Sequence, residues 1–326
     1  LSSTIDIPRG TANLRAFAEA SLKPQTLTFK KPHARSYTLR SPIGVVAVIS
    51  PWNLPLLLFT WKLAPALAAG NCVIAKPSEV TPLTAFMLSE LLNEAGFPPG
   101  VVNILHGKGP SIGAAISAHP GIKAISFTGG TATGIAIYSE AAKHLKKVSL
   151  ELGGKNPTLV FEDCDFDKTV AGAMAAAFTN QGQICLCGSR LLIQQSIYEK
   201  FKAALVEKTQ SIVIGDPLEP QTQHGATVSE AHLSKVLSYI ELAQAEGGKI
   251  LAGGKRRMLE GRCADGYFIE PTIIENLGPT CRTNQEEIFG PVVTLQPFAT
   301  EEEALALANA TEYGLAASVW TENKER

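Results

Sequence analysis

The segment GQICLCGSR sets Cys185 and Cys187 in a loop after a run of small residues, among glycines that let a ligand come close to the backbone. A cysteine in such a place serves as a nucleophile, as a metal ligand, or as a small buried hydrophobe. No His or Cys cluster at ligand spacing accompanies the pair, so no metal site is expected. The nucleophile reading needs a base and a donor for an oxyanion. Glu151, in LELGGK between Leu150 and Leu152, is the candidate base. Burial in that strand-like run is expected to raise its pKa toward neutrality, the competing reading being a strand-end carboxylate in water. Asn53, in ISPWNLP just past an apolar strand, offers a side-chain amide as donor, against the alternative of a structural turn asparagine.

A second group of segments suits a nucleotide. AKPSE puts Lys76 and Glu79 immediately beyond the strand CVIA, where sugar hydroxyls and phosphates lie in an open α/β sheet, although a solvated loop reads the same way. In ISFTGGTATG a strand runs through Gly129 and Gly130 into a helix, whose first amides can cradle phosphate. The pattern is not G-x-G-x-x-G and alone is weak. QEEIFGP adds an acid and an aromatic, Glu287 and Phe289, ahead of the strand PVVTLQPF.

These residues must be held by something, and the hydrophobic pattern says what. From Gly44 onward short β-rich runs alternate with helical ones: GVVAVIS, CVIAK, VVNIL and IKAISF are each followed by a helical stretch, with Gly70, Gly96 and Gly121 close behind the helices. That alternation predicts an α/β fold, a Rossmann-like parallel sheet covered on both faces. A second α/β set follows Gly153 and Gly154, with TLVFED, the helix AGAMAAAF, the strand RLLIQQ and amphipathic helices near 197–212 and 230–246. The segment from Lys23 to Arg40, with Pro24 and Pro32, suits a protruding two-stranded ribbon that invites a partner chain. The expected division is 1–22 as part of the cofactor domain, 23–41 as an oligomerisation ribbon, 42–153 as the cofactor-binding domain and 154–326 as the catalytic domain.

Composition narrows the classes of partner. The 326 residues are 45% hydrophobic and 18% charged, a packed globular composition, and 29 Lys and Arg against 30 Asp and Glu leave no basic excess for nucleic acid. The apolar region from Leu54 to Ala75 is broken by Lys62, Pro65, Gly70 and Asn71, so no membrane span is expected. Six sparse cysteines and no signal peptide suggest a reducing, cytoplasmic setting. A start at Leu1 and an end soon after the strand-like run Leu315 to Trp320 read as part of a longer protein.

Taken in order, SPWN, KPSE, FTGG-x-x-x-G, ELGGK, GQ-x-C and EEIFGP resemble the NAD(P)-dependent aldehyde dehydrogenase superfamily over essentially the whole chain. The resemblance implies Cys185 as nucleophile, Asn53 and the Cys185 backbone N–H as oxyanion donors, and Glu151 as the base that activates the hydrolytic water. It implies a cofactor site of Ser50, Trp52, Lys76, Ser78, Glu79, Phe127, Thr128, Gly129, Gly130, Gly134, Leu152, Gly153, Glu287 and Phe289. The carboxylate at Glu79 favours NAD over NADP, since it repels a 2′-phosphate. Gly130, where many members carry Ser, removes one phosphate contact, and Cys187 replaces the usual Ala. A C-terminal stretch that completes the catalytic domain in the family is not in the sequence.

Within the superfamily the strings ISPWNLP, TWK and GQICLC are most similar to the 2-aminomuconic and 2-hydroxymuconic semialdehyde dehydrogenases. The small-molecule aldehyde substrate would then carry a remote carboxylate, with Arg9 as its clamp and Leu54, Leu58 and Trp61 as an apolar wall. A homodimer or homotetramer is implied. The rival readings are an acyl-transferring relative, against which Glu151 argues, and a truncated, catalytically incompetent form with a structural or regulatory role.

Overall fold

The computed structural model describes residues 1–23 and 26–326; Pro24, assigned above to the ribbon, lies outside the described residues. The chain divides into two compact units, Leu1–Leu152 and Gly153–Arg326.

The first unit opens on α1 (Ile7–Ser21) and a ribbon of β1 (Thr28–Lys31) and β2 (Ala34–Tyr37), antiparallel, with every residue of both strands exposed. The chain then alternates as the sequence predicts: β3 (Val45–Ile49), α2 (Pro55–Ala68), β4 (Cys72–Lys76), α3 (Leu83–Glu94), β5 (Val102–Ile104), α4 (Ala114–Ala118), β6 (Ala124–Thr128), α5 (Thr131–Ala142) and β7 (Lys147–Glu151). The expected helix at SIGAAISAH opens on a π turn, Gly109–Gly113, and its α-helical part, α4, is five residues long.

Among the described residues these strands form one parallel sheet in the order β5-β4-β3-β6-β7. The order reverses at β3, so the carboxyl ends of β3 and β6 flank a topological switch point, where open α/β sheets bind ligands. Side chains alternate in β3: Ala47 and Ile49 pack with Ile125, Ile137 and Ala141, while Val48 packs with Phe59 and Leu63 of α2. Both faces are therefore covered.

The second unit contains β8 (Asn156–Val160), α6 (Phe166–Phe178), β9 (Gly188–Gln194), α7 (Tyr198–Gln210), α8 (Glu230–Ala245), β10 (Lys249–Ala252), a small ribbon of β11 (Arg256–Arg257) and β12 (Phe268–Ile269), β13 (Thr272–Glu275), α9 (Arg282–Gln285), β14 (Val292–Phe298), α10 (Glu301–Ala308) and β15 (Ser318–Trp320). Its sheet has the order β10-β13-β14-β9-β8-β15 and is parallel except for β10, which runs antiparallel to β13 at the edge. Leu191 and Ile193 of β9 face α6 and α7, whereas Leu192 packs with Phe298 and Ala304 of α10. Val292 and Ile274 meet Leu233, Val236 and Ile240 of α8.

Candidate active site

Cys185 follows a strained turn. Asn180, Gln181 and Gly182 have φ values of 52°, 57° and 67°, a left-handed run that two non-glycine residues adopt only under constraint. Gln183, 3% exposed, supplies the constraint: its Nε2 donates to the Asn180 carbonyl at 3.1 Å, and its Oε1 accepts from the Val228 N–H at 3.1 Å. Gly182 is required for a further reason, since a Cβ there would overlap the Gly290 backbone. Beyond the turn, the Asn156 amide Nδ2 donates to the carbonyls of both Cys185 and Cys187, at 2.7 and 2.9 Å. A half-buried cysteine is thus presented from a rigid loop. Its neighbour differs: burial pushes the Cys187 thiol up to about 11, which leaves it protonated near neutrality. Asn156 carries no spacing signal in the sequence, and Gln183, although part of GQ-x-C, has no role assigned there.

Glu287 and Phe289 come to the same place within the second unit, since Cys185, Cys187, Glu287 and Phe289 line one cavity of about 20 Å³. The Glu287 carboxylate accepts from the Gly154 N–H at 3.1 Å and lies so close to Gly153 that a Cβ there would overlap it. Burial raises the Glu287 pKa, opposed by the Gly154 hydrogen bond and by Lys235 and Lys155. Lys155 is fully buried, its Nζ has no hydrogen-bond partner among the described residues, and desolvation, with Arg190 adding to it, lowers its pKa to about 7.

The first unit holds the other sequence-predicted residues. Lys76, 3% exposed at the end of β4, donates from Nζ to the Pro77 carbonyl and to Glu79, both at 3.0 Å. Glu79 also accepts from the Gly109 N–H at 3.2 Å. Desolvation opposes ionisation of Glu79, but hydrogen bonds from its own backbone, Lys76 and Gly109 hold its pKa below the usual value. Ser78 is buried, its hydroxyl accepting from Val80 N–H, and Trp52 accepts from Thr81 through its carbonyl. Ser50 follows β3, and Phe127 and Thr128 end β6, at the switch point.

The residues fit a dinucleotide. Among the described residues the buried hydroxyls of Ser50 and Thr131 have no hydrogen-bond partner, a Cβ at Gly130 would meet open space, and α5 starts without a side-chain cap on its first amides. Gly129 is pinned by its N–H to the Glu151 carbonyl at 3.0 Å, and Leu152 lies over Gly134 so closely that a Cβ there would strike it.

Asn53 is buried just before α2. That helix is capped from a distance, because Asp6, 2% exposed, accepts from the Leu56 and Leu57 N–H groups at 3.1 and 2.9 Å. Asn13 on the next turns of α1 donates to the Leu57 carbonyl and Thr60. Arg9, on the same helix, is exposed; Leu54 is buried, Leu58 half-buried and Trp61 exposed.

Glu151 departs from expectation. It is exposed at the end of β7, an edge strand covered on one side by β6 alone, so the burial anticipated from LELGGK is absent. The structure adds a residue that the sequence reading used only as a break in an apolar run: Lys62, 4% exposed on α2. Burial lowers its pKa to about 8, the Glu151 carboxylate opposing that shift.

The chain matches the aldehyde dehydrogenase family over residues 1–326. It is 48% identical over 330 residues to human 2-aminomuconic semialdehyde dehydrogenase, covering all of this chain and 68% of that protein. It is equally 48% identical, over 332 residues, to 2-hydroxymuconic semialdehyde dehydrogenase of Pseudomonas sp. strain CF600, again with 68% of the relative covered. Betaine aldehyde dehydrogenase of Staphylococcus aureus, solved in complex with NAD+, superposes with a TM-score of 0.94 at 42% identity, covering 98% of this chain and 63% of that one. This chain, spanning less than two thirds of that solved relative, belongs to the aldehyde dehydrogenase family.

Proposed function

We propose that this protein catalyses the NAD-dependent oxidation of an aldehyde to a carboxylic acid, with Cys185 as nucleophile. The observation that carries the proposal is the nucleophile loop, in which Asn156 and Gln183 fix the backbone on both sides of Cys185. The Cys185 thiolate attacks the aldehyde carbon, forming a C–S bond, and the Asn53 amide and the Cys185 N–H donate to the resulting oxyanion. The chemistry NAD supplies when bound is acceptance of the hydride that leaves this carbon. Glu151 then takes a proton from the water that adds to the thioester, and cleavage of the C–S bond returns the cysteine. An exposed carboxylate meets water without rearrangement.

Lys76 and Glu79 would hold the adenine ribose, and Glu79 excludes a 2′-phosphate by like-charge repulsion. Ser50, Trp52, Ser78, Phe127, Thr128, Gly129, Gly130, Gly134, Leu152, Gly153, Glu287 and Phe289 would complete the cofactor residues. The similarity to two muconic semialdehyde dehydrogenases supports a carboxylated semialdehyde as substrate, read by Arg9 and walled by Leu54, Leu58 and Trp61. Exposed ribbon residues Leu27, Phe29, Tyr37 and Leu39 support a homo-oligomer, and the absence of any long apolar helix among the described residues accords with a cytoplasmic setting.

The test is NADH formation, read by absorbance, from 2-aminomuconic or 2-hydroxymuconic semialdehyde. Cys185→Ala should abolish it, and Glu151→Gln should give one burst of NADH and an acyl adduct on Cys185 by mass spectrometry. Wild-type protein that binds NAD and oxidises no aldehyde would overturn the proposal.

A further inference from the structure

Helix α8 carries His232, Lys235 and Tyr239 at spacings of three and four, which places them on one face. Each reaches a different residue of the segment before β14. The Tyr239 hydroxyl donates to Glu286 Oε2 at 2.6 Å, Lys235 Nζ donates to the Glu287 carbonyl at 3.1 Å, and His232 Nε2 lies 2.7 Å from the Phe289 carbonyl oxygen.

The last contact differs in kind from the other two. Phe289 has φ +60°, a left-handed conformation that is unfavourable for a bulky side chain unless its surroundings impose it. A carbonyl oxygen only accepts, so the His232 nitrogen facing it carries the proton. Burial lowers the His232 pKa, with Lys235 adding to the effect and the Phe289 carbonyl opposing it, so the ring is neutral and its proton sits on Nε2. The histidine is itself fixed at both ends. Its backbone N–H donates to the Ser229 cap at 3.2 Å, and its ring meets the edge of the Phe289 ring at 6.1 Å between centroids.

We infer that His232 is a positioning residue for the cofactor: its Nε2–H holds the Phe289 carbonyl, keeps that residue left-handed, and so sets where the phenyl ring stands. The inference rests on the assignment of Phe289 to the nicotinamide ring. It predicts a local effect, because Lys235 and Tyr239 still hold Glu287 and Glu286 when His232 is removed.

The experiment compares wild type, His232→Ala and His232→Gln in the full chain, the glutamine keeping an N–H donor. Three quantities are read: NAD affinity by calorimetry in the absence of aldehyde, kcat and KM for NAD, and φ of Phe289 in crystals of each variant. His232→Ala should weaken NAD binding on the order of tenfold, the scale of one lost buried hydrogen bond, and raise KM more than it lowers kcat. Phe289 should leave the left-handed region. His232→Gln should recover affinity to within about threefold with Phe289 left-handed again. Unchanged affinity and conformation in His232→Ala, or a glutamine variant no better than alanine, overturns the inference. Failure of the proposed reaction is distinguishable, since it shows as a wild-type protein that binds NAD but oxidises no aldehyde, and the affinity comparison still decides the role of His232.

Discussion

The Asn156 side chain bonds to two carbonyls at once, those of Cys185 and Cys187, while its own Oδ1 accepts from the Ala316 N–H at 3.1 Å. One amide at the start of β8 therefore ties the Cys185 loop to the segment leading into β15. A change at this position acts on the loop without touching the thiol.

Asn156→Ala should lower kcat/KM for the aldehyde by on the order of 10- to 100-fold, the scale of about an ångström of misplacement at a reacting atom. Asn156→Asp should do worse, because a carboxylate would face two carbonyl oxygens. Steady-state kinetics with the rate of Cys185 alkylation as a second measure checks this; kinetics equal to wild type would remove Asn156 from the positioning role.

Lys155 makes stability depend on pH with a definite sign. Its folded pKa of about 7 lies below the ordinary lysine value of 10.5, so between these values the unfolded chain binds more protons and stability rises with pH. Below about pH 7 the folded state carries the full penalty of a buried charge. Lys155→Met should therefore melt above wild type at pH 6, and the gap should close as pH rises from 7 toward 10.5. Calorimetry across this range tests the sign; a gap that widens with pH contradicts it.

Cys185 and Cys187 should differ sharply in reactivity. With its thiol pushed up to about 11, Cys187 is about one part in a thousand thiolate at pH 8. Iodoacetamide should label Cys185 well before Cys187, as read by peptide mass spectrometry, and Cys187→Ala should retain activity. The same burial argues against rapid disulfide capture of an oxidised Cys185, so recovery from mild peroxide should be alike in wild type and Cys187→Ala.

Arg9 is exposed on α1, a helix anchored to α2 through the Asp6 that precedes it and through Asn13. A guanidinium on a fixed helix suits capture of a carboxylate. Arg9→Ala should lower kcat/KM about 10-fold or more for a carboxylated semialdehyde and leave simple aliphatic aldehydes nearly unaffected. Equal losses on both would make Arg9 a support of the helix.

The sequence by itself determined the parallel α/β alternation, because a strand buried on both faces must read as a short apolar run and its helices must bury one stripe. It also marked Cys185, Glu151, Asn53, Lys76, Glu79 and Phe289, whose chemistry is local to a short motif. Tertiary structure alone decided the rest. The antiparallel edge strand β10 pairs through contacts that no local pattern encodes. Glu151 lies exposed because it sits on β7, whose place at the sheet edge follows from strand order rather than from LELGGK. Asp6 caps a helix 50 residues away, Asn156 clasps carbonyls about 30 residues on, and His232 holds a carbonyl 57 residues away. Hydrogen bonds depend on distance in space, and a buried amide or imidazole acquires its partner only when the chain between them has folded.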